Sequence, residues 1–223
     1  MKKSVFTFIF AISVIGVFAG ILLHIKWLDY LFKPLIMISI GGYFLLNSKN
    51  LDKNLVKIAM FAFLFSLLGD SFLMISGQKE IFFMLGLASF FIAQVSYIFL
   101  FKRTIIFSGK EPYLRKNLLF LIVYILYGSG IYVMLFNQLE IVLKIAVFVY
   151  MLSLLGMSVM ALNRYKTVSL ASFLFVFIGS VLFVISDTLI ALDKFLIQIP
   201  NDRIFVMSTY IAAQYLIMRG VLK

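Results

Sequence analysis

The sequence contains no cysteine and a single histidine, His24, in 223 residues. Disulfide frameworks, thiolate nucleophiles, iron–sulfur ligation and cysteine-built zinc sites are therefore excluded, and one imidazole argues against a histidine-built metal centre. Charge is scarce as well: Asp, Glu, Lys and Arg make up 13% of the chain, against 64% hydrophobic residues. A soluble globular domain is about half apolar and a quarter charged, so this balance identifies an integral membrane protein. No polar block is large enough for a separate soluble domain, and residues 1–223 read as a single integral membrane domain. The formal net charge of +11 would ordinarily suggest nucleic acid. The basic residues punctuate apolar runs, however, and do not form a patch with interleaved aromatics. They report membrane orientation, and no nucleic-acid partner is expected.

What is present is apolar sequence in membrane-length runs. Met1-Lys2-Lys3 followed by Val5 to Leu23 has the outline of a signal peptide. The run is too long for a signal h-region and no A-x-A-like site closes it, so it predicts a first spanning helix. Trp27 and Tyr30 then mark a membrane–water interface. Further runs at about 33–47, 55–75, 81–101, 117–136, 141–162, 170–192 and 203–220 predict an all-α polytopic transmembrane bundle of eight helices. The linkers are short and polar. Of the 20 lysines and arginines, six (Lys26, Lys33, Lys79, Lys144, Lys194 and Arg203) fall on the side away from the N-terminus, and the other fourteen fall on the N-terminal side. That bias places both termini in the cytoplasm, as an even number of spans also requires, in a multi-pass protein of a bacterial inner (plasma) membrane.

Two carboxylates stand inside these runs: Asp70 in LFSLLGDSFLM (Leu64 to Met74) and Asp187 in LFVISDTLIAL (Leu182 to Leu192). An ionised Asp at a helix centre costs about 3 kcal/mol to insert, so each is a functional candidate by default. The plainer reading is that each bonds a neighbouring helix. The halves also echo one another, four helices against four, which suggests a parallel internal repeat. Lys33 in LFKPLIM matches Lys144 in VLKIAVF, the two acidic runs match, and Phe90, Ala93 and Gln94 match Tyr210, Ala213 and Gln214. Asp70 lies six residues before Ser76 and Asp187 six before Asp193. Both carboxylates are thus expected about 9 Å below the outer surface, converging on one chamber. Lys33 and Lys144 would stand at its mouth, with Gln94 and Gln214 deeper. Tyr97 shares a helical face with Gln94, and Ser66 lies one turn before Asp70. Duller roles remain open for each: snorkelling for the lysines, close packing for Gly69, Ala93 and Ala213, interhelical bonds for the glutamines.

KPL at Lys33 to Leu35, FSLLGDSFLM at Phe65 to Met74, GSVLFVISDTLIAL at Gly179 to Leu192 and YIAAQYLI at Tyr210 to Ile217 resemble the YhhN-like family, whose members include the lysoplasmalogenases. The resemblance runs from the second span to the eighth. It implies an eight-span enzyme that hydrolyses the vinyl-ether bond of lysoplasmalogens to a fatty aldehyde and a glycerophospho head group. Its partners would be a lysophospholipid substrate, water and the membrane lipids, with no cofactor. By position, the resemblance makes Asp70 and Asp187 the expected catalytic pair, with Lys33, Tyr210 and Gln214 as companions. Gln94 is a departure, since relatives often carry His there, followed by a matching Tyr97.

The chemistry suits two acids. An enol ether hydrolyses by proton transfer to its β-carbon, and water captures the resulting oxocarbenium ion as a hemiacetal. One carboxylic acid donates and one carboxylate stabilises charge or activates water, as in glycosidases. The expected site is therefore Asp70 and Asp187 for catalysis, with Lys33, Ser66, Gln94, Tyr97, Tyr210 and Gln214 binding substrate. Two other classes fit the same residues: a proton-coupled small-molecule transporter, and a non-catalytic lipid-binding membrane protein.

Overall fold

The computed structural model describes residues 3–223 and is all-helical, with no strand among the described residues. The helices are α1 (Lys3–Leu22), α2 (Lys26–Asn47), α3 (Lys53–Met74), α4 (Glu80–Ser108), α5 (Phe120–Phe136), α6 (Ile141–Leu162), α7 (Leu170–Phe195) and α8 (Asp202–Val221), with one 3-10 turn at Tyr113–Arg115. Seven are long and apolar enough to cross a membrane. The eighth, α5, has 17 residues and is about 26 Å long, at the lower limit for a hydrocarbon core of roughly 30 Å. Large apolar side chains such as Ile15, Val123, Leu126 and Ile145 are exposed. In lipid that exposure costs nothing, whereas buried polar groups must find partners inside the protein. Many serines do so within their own helix. Ser13, Ser71, Ser89 and Ser96 each donate to the carbonyl four residues back, at 2.7–2.8 Å.

The chain forms two compact units, one reaching Leu100 and one running from Phe101 to Val221. In the first, α2 packs against both α1 and α3. Aromatic rings fill the seams: Phe6 lies 4.2 Å from Tyr43, Phe44 lies 5.3 Å from Phe63, and Phe63 meets Tyr97 of α4 edge-on. Asp52 caps α3 by accepting from the backbone N–H of Asn54 and Leu55. A Cβ on Gly69 would lie 2.6 Å from the Phe90 ring, so α3 and α4 meet through a glycine at the residue beside Asp70.

Two boundaries differ from the hydropathy reading by seven residues, and the others by three or fewer. α2 starts at Lys26, so Lys33 lies about 10 Å inside the helix and not at its opening. The polar residues Lys26, Asp29 and Lys33 depress hydropathy there, yet the backbone still forms its ladder. Pro34 removes one donor from that ladder, the one that would bond the Tyr30 carbonyl. α4 continues past residue 101 through Lys102 and Arg103 to Ser108, where Gly109, at φ +63°, ends it.

In the second unit α7 and α8 make the most extensive contact. Glycines allow it: a Cβ on Gly179 would lie 2.9 Å from the Ala213 carbonyl oxygen, and one on Gly220 would lie 2.9 Å from the Val176 nitrogen. A hydroxyl chain joins α5, α6 and α7, with Tyr124 and Ser158 3.1 Å apart and Ser158 and Ser180 likewise 3.1 Å apart. Beyond the end of α6, Arg164 is 1% exposed. Its guanidinium donates to Thr104 Oγ1 and Ser172 Oγ, both at 2.9 Å, and Phe101 lies beneath it. Ser172 donates onward to the Gly220 carbonyl at 2.6 Å. Burial lowers the arginine to about 10, which still leaves it charged at neutral pH.

Two substitutions test this account through thermal unfolding in detergent. Gly179→Ala drives a methyl into α8 backbone and should cost about 1–3 kcal/mol. Arg164→Lys keeps the charge but loses the fork that reaches Thr104 and Ser172 together, and should lower the melting temperature as well.

Candidate functional site

Asp70 is 2% exposed on α3. Its partner is Lys33 of α2, whose Nζ lies 3.2 Å from Asp70 Oδ1. The Lys33 side chain is itself 16% exposed, so both members of the pair are largely withdrawn from solvent. In hydrocarbon an isolated carboxylate and an isolated ammonium are each expensive, and contact offsets part of that cost. Fully buried on the same unit are Ser66, one turn before Asp70, and Gln94 and Tyr97 on α4. The structure thus joins Lys33 and Asp70 directly. It places Ser66, Gln94 and Tyr97 among the buried residues of the same unit.

Asp187 is 8% exposed on α7. The half-buried Tyr150 of α6 donates its phenolic hydroxyl to Asp187 Oδ2 at 2.5 Å. The neighbouring residues anchor this part of α7. Ser186 donates to the Val206 carbonyl of α8 at 3.1 Å, and Thr188 hydrogen-bonds Tyr127 of α5 at 2.8 Å. On α8, Tyr210 and Gln214 are buried one turn apart, and Gln214 Nε2 donates to the Tyr210 hydroxyl at 3.4 Å. Tyr210 also packs edge-on against Phe183 of α7 at 5.7 Å. Ala93 and Ala213 are completely buried.

The matched lysines behave differently. Lys33 contacts a carboxylate, whereas Lys144, in the first turn of α6, lies over the Phe136 ring at 4.2 Å. Two residues were missed by sequence reasoning. Tyr150 left little signal, being one of 11 tyrosines in a chain with 26 phenylalanines. Asp29 is a third buried acid, 5% exposed in the first turn of α2. It could have been found, because it precedes Lys33 by four residues and so shares its helical face. A Cβ on Gly20 of α1 would lie 2.8 Å from Asp29 Oδ1, so a glycine makes room for that carboxylate. Among the described residues no group of three His, Cys, Asp or Glu side chains is placed to hold a metal.

Two acids buried in membrane-length helices, each contacted by a side chain of the helix before it, define a polytopic membrane protein with ionisable groups inside its apolar helices. The YhhN family model matches residues 28–221, and the chain belongs to the YhhN family. Over 158 residues it is 34% identical to lysoplasmalogenase TMEM86A of Bos taurus, covering 69% of this chain and 60% of that protein. The chain therefore spans less than two thirds of that relative's length. No solved structure matches it.

Removing one member of a buried ion pair strands the other. Lys33→Met should therefore destabilise the protein by about 3–5 kcal/mol, and the double variant Lys33→Met/Asp70→Asn should recover most of the loss. Unfolding of the wild type, both single variants and the double variant in one detergent measures the coupling.

Proposed function

We propose that this protein is a membrane-embedded hydrolase of lysoplasmalogen-type lysolipids, with Asp70 and Asp187 as its acid–base pair. The relative named lysoplasmalogenase supports the reaction class. The observation that carries the division of labour is the unlike partnering of the two acids. Asp70 faces an ammonium, while Asp187 accepts from a neutral phenol. Asp70 is accordingly assigned as the carboxylate and Asp187 as the proton donor.

In this reading Asp187 protonates the β-carbon of the vinyl ether, and the Asp70 carboxylate faces the oxocarbenium ion. Water adds at the cationic carbon and loses a proton to Asp70, giving the hemiacetal. The Asp187 carboxylate then takes the hemiacetal hydroxyl proton as the C–O bond breaks, and Asp70 returns its proton to the departing glycerol oxygen. Both acids end in their starting states, and the net change is addition of water to yield aldehyde and glycerophospho head group. The logic is that of two-carboxylate glycoside hydrolysis. Lys33 serves as counter-ion to Asp70, with Ser66, Gln94, Tyr97, Tyr210 and Gln214 contacting substrate, and both termini lie in the cytoplasm. Gln94, unlike a histidine, contributes no titrating group near neutral pH.

Purified protein incubated with lysoplasmalogen should release fatty aldehyde. Asp70→Asn and Asp187→Asn should each reduce the rate by about 100-fold or more, and the double variant should fall little below the worse single one. Tyr150→Phe should retain the fold and lose a smaller part of the rate. Unchanged aldehyde release in the Asp variants would sink the assignment. Solute flux into proteoliposomes without turnover would replace the hydrolase with a transporter.

A further inference from the structure

We propose that the α3–α4 groove near the start of α3 is a binding site for an anionic glycerophospholipid of the bilayer, separate from the Asp70 site. The groove encloses about 530 Å³. Its walls are apolar, formed mainly by Phe61 of α3 and by Phe91, Ile92, Val95 and Phe99 of α4. Phe61 and Phe99 are 49% and 55% exposed, so the groove opens sideways, where lipid chains lie. Ser96 also lines it, but its hydroxyl is spent on the Ile92 carbonyl at 2.7 Å. Hydrocarbon is the ligand such walls accept.

One end is different. Lys57 is exposed and is the one charged residue among the described lining. Lys53, also exposed, lies one turn before it on the same face of α3. Lys57 is the fifth residue of α3, and Asp70 lies thirteen residues further on, about 20 Å along the axis. The contacts of Phe63 with Tyr97 and of Gly69 with Phe90 show that α4 runs antiparallel to α3. Phe99 therefore sits near the lysine end and Phe91 about 12 Å deeper. A phosphate at Lys57 with an acyl chain running past Phe99 toward Phe91 matches both ends of the groove.

The charge selects the head group. No carboxylate is among the described residues that line the groove, and Asp52, at the α3 cap, accepts from two backbone N–H groups. A zwitterionic head would bring its ammonium against the like charges of Lys57 and Lys53. An anionic head would not. This end of α3 is also the one that the lysine and arginine asymmetry assigns to the cytoplasmic leaflet, where anionic lipids are concentrated.

Native mass spectrometry of the full-length protein, released from detergent with phosphatidylglycerol or phosphatidylcholine of identical chains, tests the site. Wild type should retain phosphatidylglycerol about tenfold better than phosphatidylcholine, the scale expected of one or two lysines at an anionic head. Lys57→Gln should abolish the preference, and Val95→Trp, which fills the groove without changing charge, should abolish retention. Lys144→Gln, at the start of α6, should change neither. Equal retention of the two lipids, or a preference that survives Lys57→Gln and Val95→Trp, would overturn the proposal. So would a protein dimer that forms in place of the lipid adduct and is lost in Val95→Trp.

Discussion

Hydrocarbon offers no hydrogen bonds, and most of this structure follows from that one deficiency. Every polar side chain placed inside it must be answered by another group of the same chain. Serines resolve the demand locally by bonding carbonyls of their own helix. Groups that cannot do so recruit neighbouring helices, and each recruitment fixes how two helices face one another. Lys33 with Asp70 ties α2 to α3, and Tyr150 with Asp187 ties α6 to α7. Arg164 ties the end of α6 to the end of α4 and the start of α7. The helices are held less by apolar attraction, which lipid satisfies equally well, than by these contacts and by close approach at glycine.

The same deficiency separates the two acids chemically. A cation beside one and a phenol beside the other place them in different electrostatic settings, although both sit in apolar helices and both are met from the preceding helix. Acid–base chemistry on a single bond benefits from such inequality, because a donor and an acceptor are needed at once. Two equally placed carboxylates would have to divide those roles by sharing a proton.

Much of the fold was legible because crossing a bilayer is nearly a one-dimensional requirement: a run of apolar residues of sufficient length is a helix. Hydropathy failed where helix and hydrocarbon part company. Residues Lys26 to Phe32 and Lys102 to Ser108 are helical but polar enough, or close enough to charge, to read as linker. Asp70 and Asp187 were conspicuous because an acid in an apolar run has few explanations. Their partners were harder. That Lys33 reaches Asp70 depends on which faces of α2 and α3 meet, and no linear pattern records that. Tyr150 was hidden among many aromatic residues, since a single hydroxyl barely alters hydropathy. Asp29 was visible, but the interfacial Trp27 and Tyr30 drew the reading toward the membrane surface.

Gly69 carries an implication of a different kind. With a Phe90 ring where its side chain would be, the residue preceding Asp70 rests directly on an aromatic surface of α4. The aim of the carboxylate is thereby set by ring thickness as much as by charge. A bulkier or slimmer side chain at position 90 would tilt α3 and swing Asp70 relative to Lys33 without touching any polar atom. Evolution could retune such a chemical centre from an adjacent, wholly greasy position, leaving every ionisable residue in place.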